Sequence, residues 1–243
     1  MSLSARIEYV RDKEKTLVVF NPPADSTLVT DLSEYFATQN VTVTGKQTRS
    51  GEPENVAVLR RNDEVLASVP IAKLEELLAG GGLRDTGVGI DDAQYNEVLQ
   101  HLKETTFTSH SKSRMVTISH EIEDRAMRVN EGRLYTGFQY PEKLNEQADR
   151  YERLATTSLD VHTFTAPGEP VDIEGVTHHS EPADEIERSW IVVFDGGGTD
   201  AYKTGLLATE EGPDQWYGFW SDDPDLVDSI WGYLDTTYLT VQP

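Results

Sequence analysis

The chain has 243 residues, enough for one large domain or two small ones, and lacks cysteine, which excludes disulfides, thiolate metal sites and thiol nucleophiles. Its 43 acidic residues outnumber 21 basic ones, and a net charge of -22 repels nucleic-acid phosphate and anionic membrane surfaces. No apolar run approaches a membrane span and the N-terminus carries no signal-peptide pattern, so the expectation is a soluble, cytoplasmic protein without nucleic acid or membrane partners.

The charge is uneven: eleven basic residues face seventeen acidic ones up to residue 105, then ten face twenty-six. Only 8 basic residues are lysine. An acidic, lysine-poor surface stays hydrated in molar salt, where the Debye length shrinks to roughly 3 Å and self-repulsion costs little. The composition therefore reads as that of a halophile's cytosolic protein.

In chain order, Met1-Ser2-Leu3 is set aside from fold reasoning as a segment that a cloning remnant could contribute. Leu3 to Asp12 reads as a helical lead-in. Thr16 to Phe20 is an apolar run that suits a buried strand. Asn21-Pro-Pro-Ala-Asp25 breaks it, and Asp25 or Ser26 caps a helix carrying Leu28, Leu32, Tyr35 and Phe36. Val41 to Thr44 alternates as a strand. Val56 to Leu59 and Glu64 to Val69 flank Arg60-Arg-Asn-Asp63 as a hairpin. Pro70 opens a helix from Ile71 to Leu78, which Gly80-Gly-Gly82 ends. This first half reads β-α-β-β-β-α.

A Gly- and Asp-rich connector, Leu83 to Asp92, leads to a helix from about Ala93 to Lys103 and a polar link to Arg114. Next comes Met115 to Val129, where Ile118, Ile122, Ala126 and Val129 recur at helical spacing. This central amphipathic helix concentrates Ser119, His120, Glu123, Asp124 and Arg125. His120, Glu123 and Asp124 stand at i, i+3 and i+4 and share one side.

The second half runs in the same sequence. Arg133 to Phe138 reads as a strand broken by Gln139-Tyr-Pro141, followed by a helix from Glu142 to about Thr157. Asp160 to Phe164 is a strand and Pro167 to Arg188 a long acidic loop. Trp190 to Phe194, Ala201 to Ala208 and Gln215 to Trp220 form a meander. Asp222 or Asp223 caps a closing helix with Leu226, Val227, Ile230, Trp231 and Leu234 inward. Phe20-Asn21 aligns with Phe138-Gln139, Tyr35 with Tyr151, Val41 with Leu159, and Gly51-Glu-Pro53 with Gly168-Glu-Pro170. This points to a degenerate duplication. The expected fold is α/β (α+β): two related β-α-β-β-β-α lobes, residues 1–105 and 106–243, joined by the central helix.

His120 with Glu123 and Asp124 suits a ligand site, a metal site or general acid/base work. For a metal, His120 and Asp124 supply only two ligands, with His178-His179 distant in sequence. The bland alternative is hydrogen-bonded packing with Asp124 and Arg125 in ion pairs. Ser119-His-Glu-Ile and Asp85-Thr-Gly-Val-Gly-Ile90 mimic histidine-kinase boxes. Their order is reversed, their spacing is too short and the Asn-bearing box is missing, so the pair reads as coincidence. Asp195-Gly-Gly-Gly-Thr-Asp200 reads as a hairpin connection rather than a phosphate cradle. Trp190, Trp216, Tyr217, Phe219, Trp220, Trp231 and Tyr233 crowd the last segment, either as core or as the wall of a pocket between sheet and central helix.

Ser119-His-x-Ile-Glu-Asp-Arg125 on a helix, then Gly137-Phe-Gln139, Arg150-Tyr-x-x-Leu-Ala155, Trp190-Ile-Val-Val-Phe194 and Leu206-Leu-Ala208 resemble the DICT domain. That is a sensory domain associated with diguanylate cyclases and two-component systems, and the resemblance covers about Met115 to Tyr238. It implies a ligand-binding module without established enzymatic activity. It makes His120, Glu123, Asp124, Arg125, Phe138, Gln139 and Tyr151 candidate sensing residues, to which Ser119 and Trp190 add themselves by position. No cyclase, kinase or helix-turn-helix output segment accompanies it in this sequence, and the N-terminal half reads as a diverged copy.

The leading expectation is a stand-alone signal-sensing protein of a halophilic archaeon that binds a small ligand or a signalling partner without catalysis. No cofactor is named and a homodimer is one route of response. The rivals are a small hydrolase or transferase using His120 with Asp124 or Glu123, and a structural adaptor.

Overall fold

A computed structural model describes residues 1–36, 41–79, 107–109, 112–212 and 215–239. The expected Leu83–Asp92 connector, the helix near residues 93–103 and the Asp85–Ile90 box lie outside the described residues. The chain divides into two compact units, Arg11–Phe107 and Met1–Val10 with Thr108–Pro243.

Helix α1, Leu3–Arg11, opens the chain and belongs with the second of these units. Leu3 is fully buried, and its N–H donates to Glu185 Oε2 at 3.2 Å. Leu3 is thus part of the fold, which corrects its exclusion on sequence grounds.

In the first unit the uninterrupted apolar run becomes β1, Lys15–Phe20, an inner strand with neighbours on both edges. Helix α2, Leu28–Tyr35, carries the chain to β2, Val41–Lys46, which runs parallel to β1 with Leu17 opposite Val43. The Ser26 hydroxyl accepts from the Leu28 N–H at the helix start. Strands β3, Val56–Arg61, and β4, Glu64–Pro70, form the expected hairpin, with Asn62 at φ 53° in its tip. Helix α3, Ile71–Leu78, follows directly from Pro70. The order is β2-β1-β3-β4, and α2 and α3 lay Leu28, Leu32, Leu74 and Leu77 on the Leu17, Val19, Leu59 and Val69 face. Phe36 is buried there, whereas Tyr35, placed on the helix's apolar stripe by spacing, is exposed.

The second unit is built on seven strands in the order β5-β11-β10-β9-β6-β7-β8. Along the chain come β5 (Phe107–Ser109), α4 (Lys112–Val129), β6 (Gly132–Gly137), α5 (Pro141–Asn145), α6 (Ala148–Ala155) and β7 (Leu159–Thr165). They are followed by β8 (Val176–Ser180), α7 (Asp184–Arg188), β9 (Ser189–Phe194), β10 (Thr204–Gly212), β11 (Gln215–Ser221) and α8 (Pro224–Leu234). Its inner strands β7-β6-β9-β10 have the order and directions of β2-β1-β3-β4: a parallel pair joined across a helical crossover, then two antiparallel neighbours.

Strand alternation divides the apolar side chains between two faces. Tyr135, Phe164, Ile191, Val193, Leu207, Tyr217 and Phe219 point to one face, where α1 and α8 bring Leu3, Ile7, Val227, Ile230 and Leu234. Leu134, Trp190, Val192, Leu206 and Trp216 occupy strand positions of the other parity, where α4 packs against β6, β9 and β10. The Asp223 side chain caps α8 by accepting from the Asp225 N–H, and Pro224 sits in its first turn.

Two sequence expectations change. The single helix from Glu142 to Thr157 is two helices, broken at Glu146-Gln147. There the Gln147 carbonyl accepts from the Arg150 and Tyr151 N–H groups and starts α6 afresh. The acidic loop from Pro167 to Arg188 contains β8, parallel to β7, and α7. Val176-Thr-His-His-Ser180 has one aliphatic residue, so composition hid an edge strand.

Candidate functional site

The face beneath α4 contains a cavity of about 260 Å³ within the second unit. Helix α4 supplies Lys112, Val116, Ser119, His120 and Glu123, positions that recur along one stripe of the helix. The end of β6 supplies Gly137, Phe138 and Gln139. Helices α5 and α6 and their junction supply Lys143, Glu146, Gln147 and Tyr151, and the sheet floor supplies Ser189 to Val192 and Trp216. The break at Glu146-Gln147 therefore positions the cavity's outer wall. Beyond β6 the pairing persists: the Phe138 N–H donates to the Phe164 carbonyl at 2.8 Å, and the Ala166 N–H to the Gln139 carbonyl at 3.1 Å. This anchors Phe138-Gln139 at the rim.

Glu123 is buried, with its carboxylate held on both oxygens. Tyr151 OH donates to Oε1 at 2.8 Å and Arg150 Nε donates to Oε2. Arg150 Nη2 also reaches the His120 carbonyl at 3.1 Å and Asp124 Oδ1 at 2.8 Å, so one guanidinium ties two turns of α4 to α6. Burial raises the Glu123 pKa, and Arg150 and Tyr151 counter part of that rise by favouring the charged form. Complete burial, and then the adjacent Glu123 charge, push the Tyr151 hydroxyl well above its ordinary value. For Arg150 burial works against the cation, but Glu123 and Asp124 outweigh it and raise its pKa.

The aromatic wall is equally constrained. Trp190 Nε1 donates to Ser119 Oγ at 3.0 Å, and Ser119 Oγ donates to the Met115 carbonyl at 2.9 Å. The Trp190 and Trp216 rings meet edge to face at 5.7 Å, and Phe138 meets Tyr151 likewise at 5.4 Å. At the rim Lys143 donates to Gln139 Oε1, and Gln139 Nε2 donates to Glu210 Oε2 at 2.8 Å.

Of the nine residues singled out from sequence, Ser119, His120, Glu123, Phe138, Gln139, Tyr151 and Trp190 line this cavity. Asp124 and Arg125 do not. Asp124 faces Arg150 from a half-exposed position, and Arg125 pairs with Asp222 at 2.7 Å. The sequence reading missed Lys112, Lys143 and Gln147 as lining residues, and Arg150 as the group that neutralises Glu123. Arg150 had been visible only inside a motif, and nothing in its spacing pointed to α4. The late aromatics serve both expected roles: Trp190 and Trp216 line the cavity, whereas Tyr217 and Phe219 belong to the opposite core.

The His178-His179 pair does not line this cavity, and among the described residues no side-chain group that could hold a metal ion is found. His179 Nε2 lies 2.9 Å from His162 Nδ1, and His178 Nδ1 lies 3.0 Å from Thr163 Oγ1 on the other face. The Asp195-Gly-Gly-Gly segment is the hairpin connection between β9 and β10. The Asp195 carboxylate itself accepts from the Gly197 and Arg133 N–H groups at 2.9 and 3.0 Å, so these amides already hold an anion.

Residues 93–211 match the family model of DICT, described as a sensory domain in diguanylate cyclases and two-component systems. No curated protein matches the chain. Among solved structures, polyphosphate kinase from Porphyromonas gingivalis is similar at 10% identity and a TM-score of 0.37, over 96% of this chain and 48% of that one. The chain thus spans about half the length of that structure.

Proposed function

We propose that this chain, whose residues 93–211 belong to the DICT sensory family, is a small-molecule sensor whose ligand occupies the cavity beneath α4. The observation that carries the reading is the cavity itself: aromatic walls, a few convergent polar groups, and one helix that supplies five of its lining residues. A ligand gripped between the α4 stripe and the β9–β11 floor favours one arrangement of helix and sheet over another. It shifts the population by its differential affinity for the two. Binding suits the site better than chemistry, because the Glu123 oxygens already hold Tyr151 and Arg150.

In this reading the output passes to a signalling partner by altered association, homodimerisation being one route. Residues 106–243 form the sensory part, and residues 1–105 are its diverged copy, as the shared strand order supports. Among the described residues no helix is long and apolar enough to cross a membrane. The acidic composition fits the cytoplasm of a halophile.

The test is a thermal-shift and calorimetric screen of small molecules in high salt against wild type, His120→Ala and Val116→Trp. Val116 lines the cavity from an exposed helix position, so tryptophan there fills the space without entering the core. Binders that weaken in His120→Ala and vanish in Val116→Trp support the reading. Binders retained by both variants place the ligand elsewhere and end it.

A further inference from the structure

The charges on the cavity lining are already engaged. Glu123 is held by Arg150 and Tyr151, and Lys143 donates to Gln139, which in turn donates to Glu210. Lys112 has an interaction of its own, and Lys143 a further one. The Ser119 hydroxyl is occupied between Trp190 and the Met115 carbonyl. Among the described residues, the polar lining side chains without a hydrogen bond are then His120, Gln147, Ser189 and Glu146. Glu146 stands exposed to solvent. The other three are an imidazole, a carboxamide and a hydroxyl, groups that donate and accept. His120 and Gln147 bracket the α4–α6 seam: Arg150 Nη2 donates to the His120 carbonyl at 3.1 Å, and the Arg150 N–H donates to the Gln147 carbonyl at 2.9 Å. The groups left to a ligand therefore read hydrogen-bond edges rather than charge. A charged ligand entering here loses water and finds no unmatched buried counter-ion, which weighs against it. An apolar cavity of roughly 150 Å³ takes one benzene, so about 260 Å³ accommodates a bicyclic ring.

From this arrangement we propose that the ligand is an uncharged, flat heteroaromatic ring with a hydrogen-bond donor beside an acceptor on one edge. The ring lies against Phe138 and Trp190, and the edge faces the seam of His120 and Gln147. This rests on the sensing cavity proposed above and adds the ligand's chemical class. Blocking the donor leaves a partner at the seam unanswered, and placing a charge on the ring adds a desolvation cost that nothing in the lining offsets.

Four bicyclic probes separate the ideas: isoquinolin-1-one (donor and acceptor), its N-methyl derivative (acceptor only), 1-naphthoate (anion) and N-methylisoquinolinium (cation). Each is titrated by calorimetry into the full chain in high salt, into His120→Leu/Gln147→Leu, and into Val116→Trp. Isoquinolin-1-one should bind wild type about fivefold or more tighter than its N-methyl derivative, and about tenfold or more tighter than either ion. The gap between the two neutral probes should close in His120→Leu/Gln147→Leu. Equal or tighter binding of naphthoate or N-methylisoquinolinium overturns the uncharged assignment. A gap that survives in the double variant overturns the assignment of the edge to His120 and Gln147. If the binding in either case is lost in Val116→Trp, the cavity remains the sensing site and only the ligand class falls. Failure of all four probes to bind wild type also overturns the heteroaromatic assignment, while the small-molecule screen separately decides whether the cavity senses anything.

Discussion

Tyr151 OH and Glu123 Oε1 meet at 2.8 Å between α6 and α4, and Arg150, the neighbouring residue of α6, takes the other carboxylate oxygen. A buried carboxylate needs both donors, because leaving it partly unpaired costs its desolvation. Tyr151→Phe should destabilise the protein by about 1.5–3 kcal/mol. Arg150→Met, which strands the charge, should cost more, about 3–5 kcal/mol. Adding Glu123→Gln to Arg150→Met should recover part of that loss. Urea unfolding of these three variants beside wild type reads the losses and the recovery directly, and unchanged midpoints in Tyr151→Phe and Arg150→Met would show that the network does not contribute.

The Ser119 hydroxyl ties the Trp190 indole to the helix, at 3.0 Å, and passes the bond on to the Met115 carbonyl. Ser119→Ala removes a small buried hydroxyl and leaves the indole N–H facing the cavity. Stability should fall by only about 1 kcal/mol. The aromatic wall should loosen, seen as altered tryptophan emission and as weaker ligand binding out of proportion to the stability change. Wild-type emission together with wild-type affinity would refute the linkage.

His179 should make stability depend on pH in mild acid. Burial first, then the neighbouring His162 and His178 charges, hold its pKa down at about 4, against an ordinary value of 6.5. Between those values the unfolded chain takes up a proton that the folded chain refuses. This contribution is therefore fully present above about pH 6.5 and is lost as the pH falls towards 4, at up to about 1.4 kcal/mol per pH unit. His179→Phe keeps a ring stacked beside Phe164, where the imidazole now lies 5.0 Å away. It should flatten the wild-type slope in urea melts taken from neutral pH downward. Parallel slopes in the two proteins would assign the acid sensitivity to other groups.

What was legible in the sequence follows from how local each cause is. The apolar run of β1, the hairpin at Asn62-Asp63 and the cap at Asp223 are set by neighbouring residues, and the structure has them where the pattern places them. The α4 stripe was equally plain, and it carries Ser119, His120 and Glu123 to the cavity. Arg150 was not readable as the partner of Glu123, because a pair 27 positions apart depends on how α6 docks. Strand β8 escaped because an edge strand with polar side chains lacks the apolar alternation that marks a strand. The break at Glu146-Gln147 escaped for the opposite reason: both flanks favour helix, and no proline or glycine marks the restart at Gln147.

Gly137 links the sheet to the cavity floor. It pairs with Ile191 across β6 and β9, and a Cβ on it would lie 2.8 Å from Ile191 Cδ1 and 3.0 Å from Ile191 Cβ. Those distances are too short for either side chain to keep its place. Gly137→Ala must therefore move Ile191, and with it Trp190 and Val192 on the cavity face of the same strand. Overpacking of this kind costs about 1–3 kcal/mol. Ile191→Ala removes the offending Cδ1 and Cγ1 atoms but opens a void in the core. If the steric account is right, the pair Gly137→Ala/Ile191→Ala loses less stability than the two single losses added together, by at least about 0.5 kcal/mol. Binding of small molecules found in the cavity screen should weaken in Gly137→Ala and return towards wild type in the double variant, because the displaced strand carries Trp190. Strict additivity in stability would show that the glycine is not needed to make room for Ile191.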